Sequence, residues 1–266
     1  MLLGAVQADT FTMNYLRFGE GEKALVIIPG ISVQSVMNSA QAIADSYKLL
    51  TDEFTVYVFD RRSEVPSSYS IDDMARDTAE AIRLLGLSRV CLFGVSQGGM
   101  IAMQIAINHP ELVERLILGS TSARITQEGY DSIFAGWVEL AKAGKAEELY
   151  LSFGESVYPQ SVFEQSKGLL IEAAKTVTDD ELKRFVVITE GMKGFDVTND
   201  LEKLTCPVLV IGSNDDKVFG GEASRQIAER LSGKAGCELF MYDGYGHAVY
   251  DVAPDYRERM LKFLAQ

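Results

Sequence analysis

The segment from Arg89 to Gly99 reads RVCLFGVSQGG, in which a short apolar run leads directly to a serine flanked by glycines. The apolar run predicts a buried strand, and residues 97–108 after Ser96 predict a helix. A serine at such a turn between strand and helix is typical of a nucleophile elbow. Gly94 and Gly98 fit this interpretation, because a sharp turn leaves no room for side chains beside the serine. The alternative is a glycine-rich turn that binds a phosphate or nothing.

Strands and helices alternate along most of the chain. Runs rich in Val, Ile, Leu and Phe alternate with longer segments whose apolar residues recur at helical spacing, which predicts a parallel sheet covered by helices. The clearest strands are Ala24 to Ile28, Phe54 to Phe59, Arg89 to Phe93, Arg115 to Leu118, Pro207 to Ile211 and Glu238 to Tyr242. The clearest helices are Ile71 to Leu85, Gln97 to Asn108, Gly221 to Leu231 and Pro254 to Phe263. We therefore expect an α/β fold with a mostly parallel, doubly wound sheet of about eight strands flanked by helices.

One stretch, residues 121–199, contains no convincing strand. Its helical segments are predicted at Ser132 to Ala143, Ala146 to Phe153, Ser161 to Lys175 and Asp180 to Met192. A stretch of this length is too long for a loop, so we expect a helical cap or lid inserted into a core domain of residues 1–120 and 200–266. Six large side chains of the insertion suggest an apolar roof over the pocket, namely Tyr130, Phe134, Trp137, Tyr150, Phe153 and Met192. Of these, Tyr130, Phe134, Trp137 and Met192 are the candidates for contact with substrate. Packing of the lid onto the core is the alternative role for each of them.

Composition limits the classes of partner. A formal net charge of −13 and a pI near 4.7 argue against binding to nucleic acid or an anionic membrane, both of which require a basic surface. Three cysteines form neither a disulfide framework nor a metal motif, which favours a reducing, cytoplasmic compartment. The N-terminus lacks the basic region of a signal peptide, and no apolar run is long enough for a transmembrane helix. We expect a small-molecule substrate, and the sequence leaves the oligomeric state open.

A nucleophilic serine needs a general base and an acid that orients it. The chain has only two histidines, and His247 lies in the loop after the strand that ends at Tyr242, at the sheet edge where the serine is expected. His109 ends the helix after the elbow, where a structural role is expected. The loop after the strand ending at Ile211 offers two adjacent acids, Asp215 and Asp216. The backbone N–H of Gln97, at a helix N-terminus, is suited to donate to a developing oxyanion.

With these motifs the chain resembles the α/β-hydrolase family over nearly its whole length. In that family the acid commonly lies in a Gly-x-x-Asp-x-x-Val arrangement, which here selects Asp215, with Asp216 as the alternative. The resemblance also matches the family's Gly-x-Gly-His pattern to His247, completing a triad of Ser96, Asp215 and His247. The second oxyanion amide, by the same resemblance, belongs to Ile31.

Two positions depart from the family pattern. Pro29 precedes Gly30 where the family usually has His-Gly, so the loop that carries Ile31 must be supported in another way. Residues 60–63 read DRRS where the family often shows Asp-x-Arg-Gly, so the shape of this loop should also differ.

The resemblance implies a serine hydrolase that cleaves a small carboxylic ester, thioester or lactone and needs neither a metal nor an organic cofactor. Residues 60–129 look most like small-molecule members of the family such as enol-lactonases, aminoacrylate-type hydrolases and carboxylesterases. Hydrolysis of a C–C bond or an amide, and perhydrolysis, are compatible with the same triad. A non-enzymatic, receptor-like ligand-binding protein is the alternative from another class.

Overall fold

The computed structural model describes all 266 residues and contains one eight-stranded sheet. The strands are β1 (Leu2–Gln7), β2 (Thr12–Phe18), β3 (Lys23–Ile28), β4 (Phe54–Arg62), β5 (Val90–Val95), β6 (Val113–Gly119), β7 (Val208–Ser213) and β8 (Cys237–Tyr242). Their order is β1-β2-β4-β3-β5-β6-β7-β8. The pairs β1–β2 and β2–β4 are antiparallel, and all other neighbouring pairs are parallel. The mostly parallel sheet predicted from the sequence is confirmed.

Eleven α-helices accompany the sheet. They are α1 (Ala40–Ser46), α2 (Ile71–Leu84), α3 (Gln97–Asn108), α4 (Gln127–Ser132), α5 (Phe134–Lys142), α6 (Ala146–Val157), α7 (Gln160–Ala174), α8 (Asp179–Glu190), α9 (Gly221–Arg230), α10 (Val249–Val252) and α11 (Tyr256–Leu264). Helix α2 begins with a capping box, because Asp73 N donates to Ser70 Oγ at 3.2 Å and Ser70 N donates to Asp73 Oδ2 at 3.0 Å. None of these helices combines the length with the apolar character that a membrane-spanning segment requires.

Helices cover both faces of the sheet, as expected for a doubly wound fold. All six residues of β5 are buried. Val90 and Leu92 pack into the cluster that includes α2 and α3, whereas Cys91 and Phe93 pack into a second cluster with α11. Alternate residues of one strand thus serve two cores, which explains why the parallel strands read as unbroken apolar runs.

The two N-terminal strands were not located by the sequence analysis. They form the antiparallel edge of the sheet, where Val6 is the only buried residue of β1 and burial in β2 is confined to Met13, Leu16 and Phe18. A strand with an exposed face lacks the continuous apolar run that marks the central strands. The sequence analysis also ended β4 at Phe59, three residues too early, which matters for the site below.

Residues 121–199, which we call the helical insertion, lie between β6 and β7 and contain α4 to α8. They contain no strand, and the only pairing of strand type is an isolated bridge between Arg124 and Asp196. Helix α8 contacts the N-terminus of α3, two residues beyond the end of β5, since Gln97 Nε2 donates to the carbonyl oxygen of Ile188 at 2.8 Å. A second contact joins the end of α6 to the histidine loop, where Ala248 N donates to Val157 O at 2.8 Å. The insertion therefore borders the sheet edge at which the candidate site lies.

Candidate active site

Ser96 occupies the turn between β5 and α3 in a conformation that non-glycine residues rarely adopt, with φ of 54° and ψ of −123°. Its backbone is tied to β6, because Ser96 N donates to Gly119 O at 2.9 Å and Thr121 Oγ1 donates to Ser96 O at 2.7 Å. A Cβ at Gly98 would lie 1.9 Å from the carbonyl oxygen of Ile28. The glycine that follows the serine thus permits β3 and α3 to approach each other, and the neighbouring structure holds the serine in its strained conformation.

The imidazole of His247 is buried beside a carboxylate. His247 Nδ1 lies 2.9 Å from Asp216 Oδ2, and each side chain is 3% exposed. The other oxygen of Asp216 accepts hydrogen bonds from the backbone N–H groups of Val218 at 2.7 Å and Phe219 at 3.2 Å. Burial alone would raise the pKa of Asp216, but the histidine and these hydrogen bonds outweigh it, so the pKa lies below its usual value. The carboxylate is thereby held ionised and aimed at the ring.

The expectation that Asp215 orients the histidine is wrong in its geometry, since Asp216 and not Asp215 contacts the ring. Asp215 instead binds the backbone that leads to His247: Oδ1 accepts from Gly244 N at 2.9 Å, and Oδ2 accepts from Gly246 N at 3.0 Å. Burial tends to raise the pKa of Asp215, but these bonds and one from Ser213 lower it overall. The family pattern selects the residue immediately before the one that contacts the ring, because the turn after β7 directs the two adjacent side chains at different partners.

The two segments expected to supply oxyanion amides lie against each other. A Cβ at Gly30 would be 3.1 Å from Ser96 Cβ, so the loop after β3 packs directly on the candidate nucleophile. Gln97 is the first residue of α3, where a backbone N–H has no partner within the helix. Ile31 and Gln97 also border one small cavity of about 10 Å³, which is enough for a single water-sized group.

Arg61, which the sequence analysis did not assign to the site, is buried behind these two segments. It is 4% exposed, and its Nη2 donates to Pro29 O at 2.8 Å and to Gln97 Oε1 at 3.0 Å. Burial lowers the pKa of Arg61 to about 10, so the guanidinium is still a cation at neutral pH. Arg61 occupies the variable position of the family's Asp-x-Arg-Gly pattern, so neither the pattern nor the residue type shows where its side chain points.

Asp60 links the same region to the helical insertion. Its Oδ1 lies 2.9 Å from Arg184 Nη2 of α8, and its Oδ2 accepts a hydrogen bond from Ser35 Oγ at 2.5 Å. Both side chains of the ion pair are largely buried, with 14% exposure for Arg184 and 7% for Asp60. A charged contact between core and insertion therefore lies next to Arg61.

A larger cavity of about 300 Å³ opens beside Ile31, between the loop after β3 and helices α6 and α7. Its aromatic lining comes from Tyr150, Phe153 and Tyr158. Nine of its fourteen lining residues are hydrophobic, which is typical of a site for a small organic molecule.

The four side chains expected to contact substrate lie elsewhere. Phe134 borders a separate cavity of about 190 Å³, and none of the four lines the cavity beside Ile31. Trp137 is 2% exposed and packs between Phe134 and Phe153, with ring centroids 5.4 and 4.7 Å away. Tyr130 and Met192 are also buried in the main hydrophobic cluster. These residues pack the insertion onto the core, which was the stated alternative.

No cluster of three or more His, Cys, Asp or Glu side chains is placed to hold a metal ion. His109, the other histidine, is partly exposed at the end of α3, where its Nδ1 lies 3.1 Å from Arg83 Nη2.

The sheet, the elbow and the edge occupied by His247 define a class of protein. Residues 23–254 match the family model described as the alpha/beta hydrolase fold, and the chain belongs to this family. Among curated relatives, the chain is 29% identical over 229 residues to the Agrobacterium fabrum protein named "Putative carbamate hydrolase RutD", covering 81% of this chain and 84% of that protein. It is 22% identical over 216 residues to 3-oxoadipate enol-lactonase 2 of Acinetobacter baylyi, covering 79% and 78%.

Solved structures show the same architecture. The α/β hydrolase MGS-M2 from a Medee basin deep-sea metagenome library superposes with a TM-score of 0.87 at 22% identity, covering 99% of this chain and 98% of that one. The enol-lactonase of Burkholderia xenovorans LB400 superposes with a TM-score of 0.84 at 18% identity, covering 99% and 100%. At these identities the likeness establishes the fold alone.

Proposed function

We propose that this protein is a serine hydrolase that cleaves a small carboxylic ester, thioester or lactone through an acyl-enzyme on Ser96. The observation that carries the proposal is the buried pair of His247 and Asp216 at the sheet edge that also presents the strained Ser96. A histidine held by an ionised carboxylate is the arrangement that activates a serine hydroxyl. Asp216 takes the role of the acid in this proposal, in place of Asp215.

In this mechanism His247 accepts the proton of Ser96 Oγ as the oxygen attacks the substrate carbonyl, and Asp216 stabilises the imidazolium that forms. The N–H groups of Ile31 and Gln97 donate to the oxyanion. His247 then gives the proton to the leaving group, and a water activated by the same base releases the acyl group. No hydrogen bond joins Ser96 Oγ to His247 in the free protein, and such bonds commonly tighten when substrate binds.

The class of substrate is inferred from the cavity and the relatives. A largely hydrophobic space of about 300 Å³ beside Ile31 suits a small organic acyl or leaving group. The name of one relative, 3-oxoadipate enol-lactonase 2, refers to a small-molecule substrate, which favours a substrate of similar size here. In this proposal the helical insertion acts as the lid that determines which substrates enter.

A carbamate is the second candidate substrate. Seven relatives that cover about three quarters or more of this chain share the name "Putative carbamate hydrolase RutD", at 25% to 29% identity. The carbonyl of a carbamate can be attacked by the same serine and polarised by the same amides. A panel of matched esters, lactones, carbamates and amides separates the two candidates by their kcat/KM.

The proposal is tested by labelling with a fluorophosphonate probe, measured by intact mass. We expect one adduct on the wild type, none on Ser96→Ala, and labelling of His247→Ala slower by at least about a hundredfold. Circular dichroism of each variant checks that it is folded. If folded wild-type protein is not labelled, the hydrolase proposal fails and a ligand-binding protein becomes the better explanation.

A further inference from the structure

Arg61 contacts both segments that are expected to form the oxyanion hole. One terminal nitrogen, Nη2, donates to Pro29 O at 2.8 Å and to Gln97 Oε1 at 3.0 Å. Pro29 lies two residues before Ile31, and Gln97 carries the other candidate amide on its own backbone. A single planar group thus ties the loop after β3 to the N-terminus of α3, two segments 66 or more residues apart in the sequence.

The guanidinium of Arg61 makes no direct contact with a carboxylate, although the nearby charge of Asp60 raises its pKa against the effect of burial. It forms no ion pair, and its adjacent residue Asp60 directs both carboxylate oxygens elsewhere, to Arg184 Nη2, to Ser35 Oγ and to the backbone N–H of Arg61. The Nε of Arg61 is buried without a hydrogen-bond partner. Burial of a cation on neutral acceptors alone costs free energy, so a buried arginine of this kind points to a functional role.

Two other roles for Arg61, stabilising the fold and binding an anionic substrate, do not fit this arrangement. An arginine that only stabilised the fold would gain more from an ion pair, as its neighbour Arg62 does with Asp77 at 3.3 Å. An arginine that bound an anionic substrate would need open space, whereas the cavity beside Arg61 holds only about 10 Å³ and is also lined by Asp60. The role that fits is to hold the two acceptors, the Pro29 carbonyl and the Gln97 side chain.

We infer that Arg61 is a positioning residue for the oxyanion hole. It holds the Pro29 carbonyl and the Gln97 side chain, so that the N–H groups of Ile31 and Gln97 are fixed towards one point. It thereby supplies the support that this loop lacks because Pro29 stands where the family usually has histidine. The inference rests on the proposed function, since an oxyanion hole has meaning only for acyl transfer.

The test compares Arg61→Met, Arg61→Lys and the control Arg62→Met, with p-nitrophenyl acetate as substrate. We expect Arg61→Met to lower kcat about a hundredfold or more while KM changes less than about threefold, because the lost interaction acts on the transition state. Arg61→Lys keeps the charge but not the planar fork, so we expect a loss of about tenfold. Arg62→Met, which contacts neither Pro29 nor Gln97, should keep kcat within about twofold of the wild type.

A second measurement distinguishes positioning from general loss of structure. The inhibition constant of a trifluoromethyl ketone, whose adduct carries an oxyanion, should rise across the Arg61 variants in proportion to KM/kcat. If Arg61→Met does not fold, the positioning role is tested with Arg61→Lys alone, by its kcat and by whether its ketone inhibition constant rises in proportion to KM/kcat. The inference is overturned if the variants raise KM at constant kcat, or if the ketone binds all of them equally. Failure of the proposed function would show differently, as absence of fluorophosphonate labelling in the wild type.

Discussion

The loops at the carboxyl ends of the core strands and the helical insertion are built in different ways. In the core loops, polar side chains are held by short hydrogen bonds, as Asp216 is by His247 Nδ1 and by the backbone N–H of Val218. In the insertion, aromatic side chains pack on one another and on the core, as Trp137 does on Phe153 and Phe134 does on Phe219. The core loops suit a fixed arrangement of reacting groups, whereas an aromatic interface of this kind can be altered without disturbing them.

Under the proposed function, we therefore place the reaction in the core loops and substrate selectivity in the insertion. Changes in the core loops should affect the rate for every substrate, and changes in the insertion should affect the choice among substrates. The buried ion pair of Asp60 and Arg184 joins the two parts.

The largest expected effect separates the two adjacent acids of the loop after β7. Asp216→Asn should lower kcat by about 10³ to 10⁴-fold, because an amide neither stabilises the imidazolium nor keeps the ring in the correct tautomer. Asp215→Asn should lower kcat less than about tenfold, since Asp215 contacts the backbone of the histidine loop and not the ring. Steady-state kinetics and melting temperatures of both variants measure the difference.

A greater loss of kcat in Asp215→Asn than in Asp216→Asn would contradict this assignment and return Asp215 to the role that the sequence favoured. Equal and small losses would mean that neither acid supports the histidine.

The next largest effect concerns the ion pair between core and insertion. Arg184→Met should destabilise the protein by about 2–3 kcal/mol, because it leaves the buried Asp60 carboxylate with only Ser35 Oγ and the Arg61 N–H as partners. Urea unfolding measures this change. Lys183→Met is the matched control on the same helix, since Lys183 pairs with Asp180 at the exposed surface, and it should show no measurable change. Equal stability of the two variants would mean that apolar packing alone attaches α8 to the core.

The smallest effect concerns substrate choice. Phe153→Ala should enlarge the cavity beside Ile31 and raise the preference for longer acyl chains. This preference is measured as the ratio of kcat/KM for a butyrate ester to kcat/KM for the acetate ester. We expect the ratio to rise about threefold to fourfold for each methylene that the enlarged cavity accommodates. Leu169→Ala, at a residue of α7 that is 75% exposed, should leave the ratio unchanged. A general loss of activity in Phe153→Ala without any change in the ratio would contradict the separation of reaction from selectivity.

The sequence predicted those elements whose signals are local. The apolar run before Ser96 and the glycines around it predicted β5, the turn and the start of α3, since each depends on neighbouring residues. The absence of strands from residues 121–199 was also apparent from periodicity. In contrast, β1 was not located, because a half-exposed edge strand carries a weak apolar pattern.

Sequence analysis correctly predicted that a serine follows a buried strand, that His247 follows a later strand, and that two acids follow a strand between those two. These facts reflect chain order and the rule that parallel strands present their carboxyl ends at one edge. The three-dimensional structure was needed to show that Asp216 faces the ring while Asp215 binds the histidine loop, and that Arg61 reaches Pro29 and Gln97. The direction of a side chain depends on partners distant in the sequence, and neither residue type nor spacing encodes that direction.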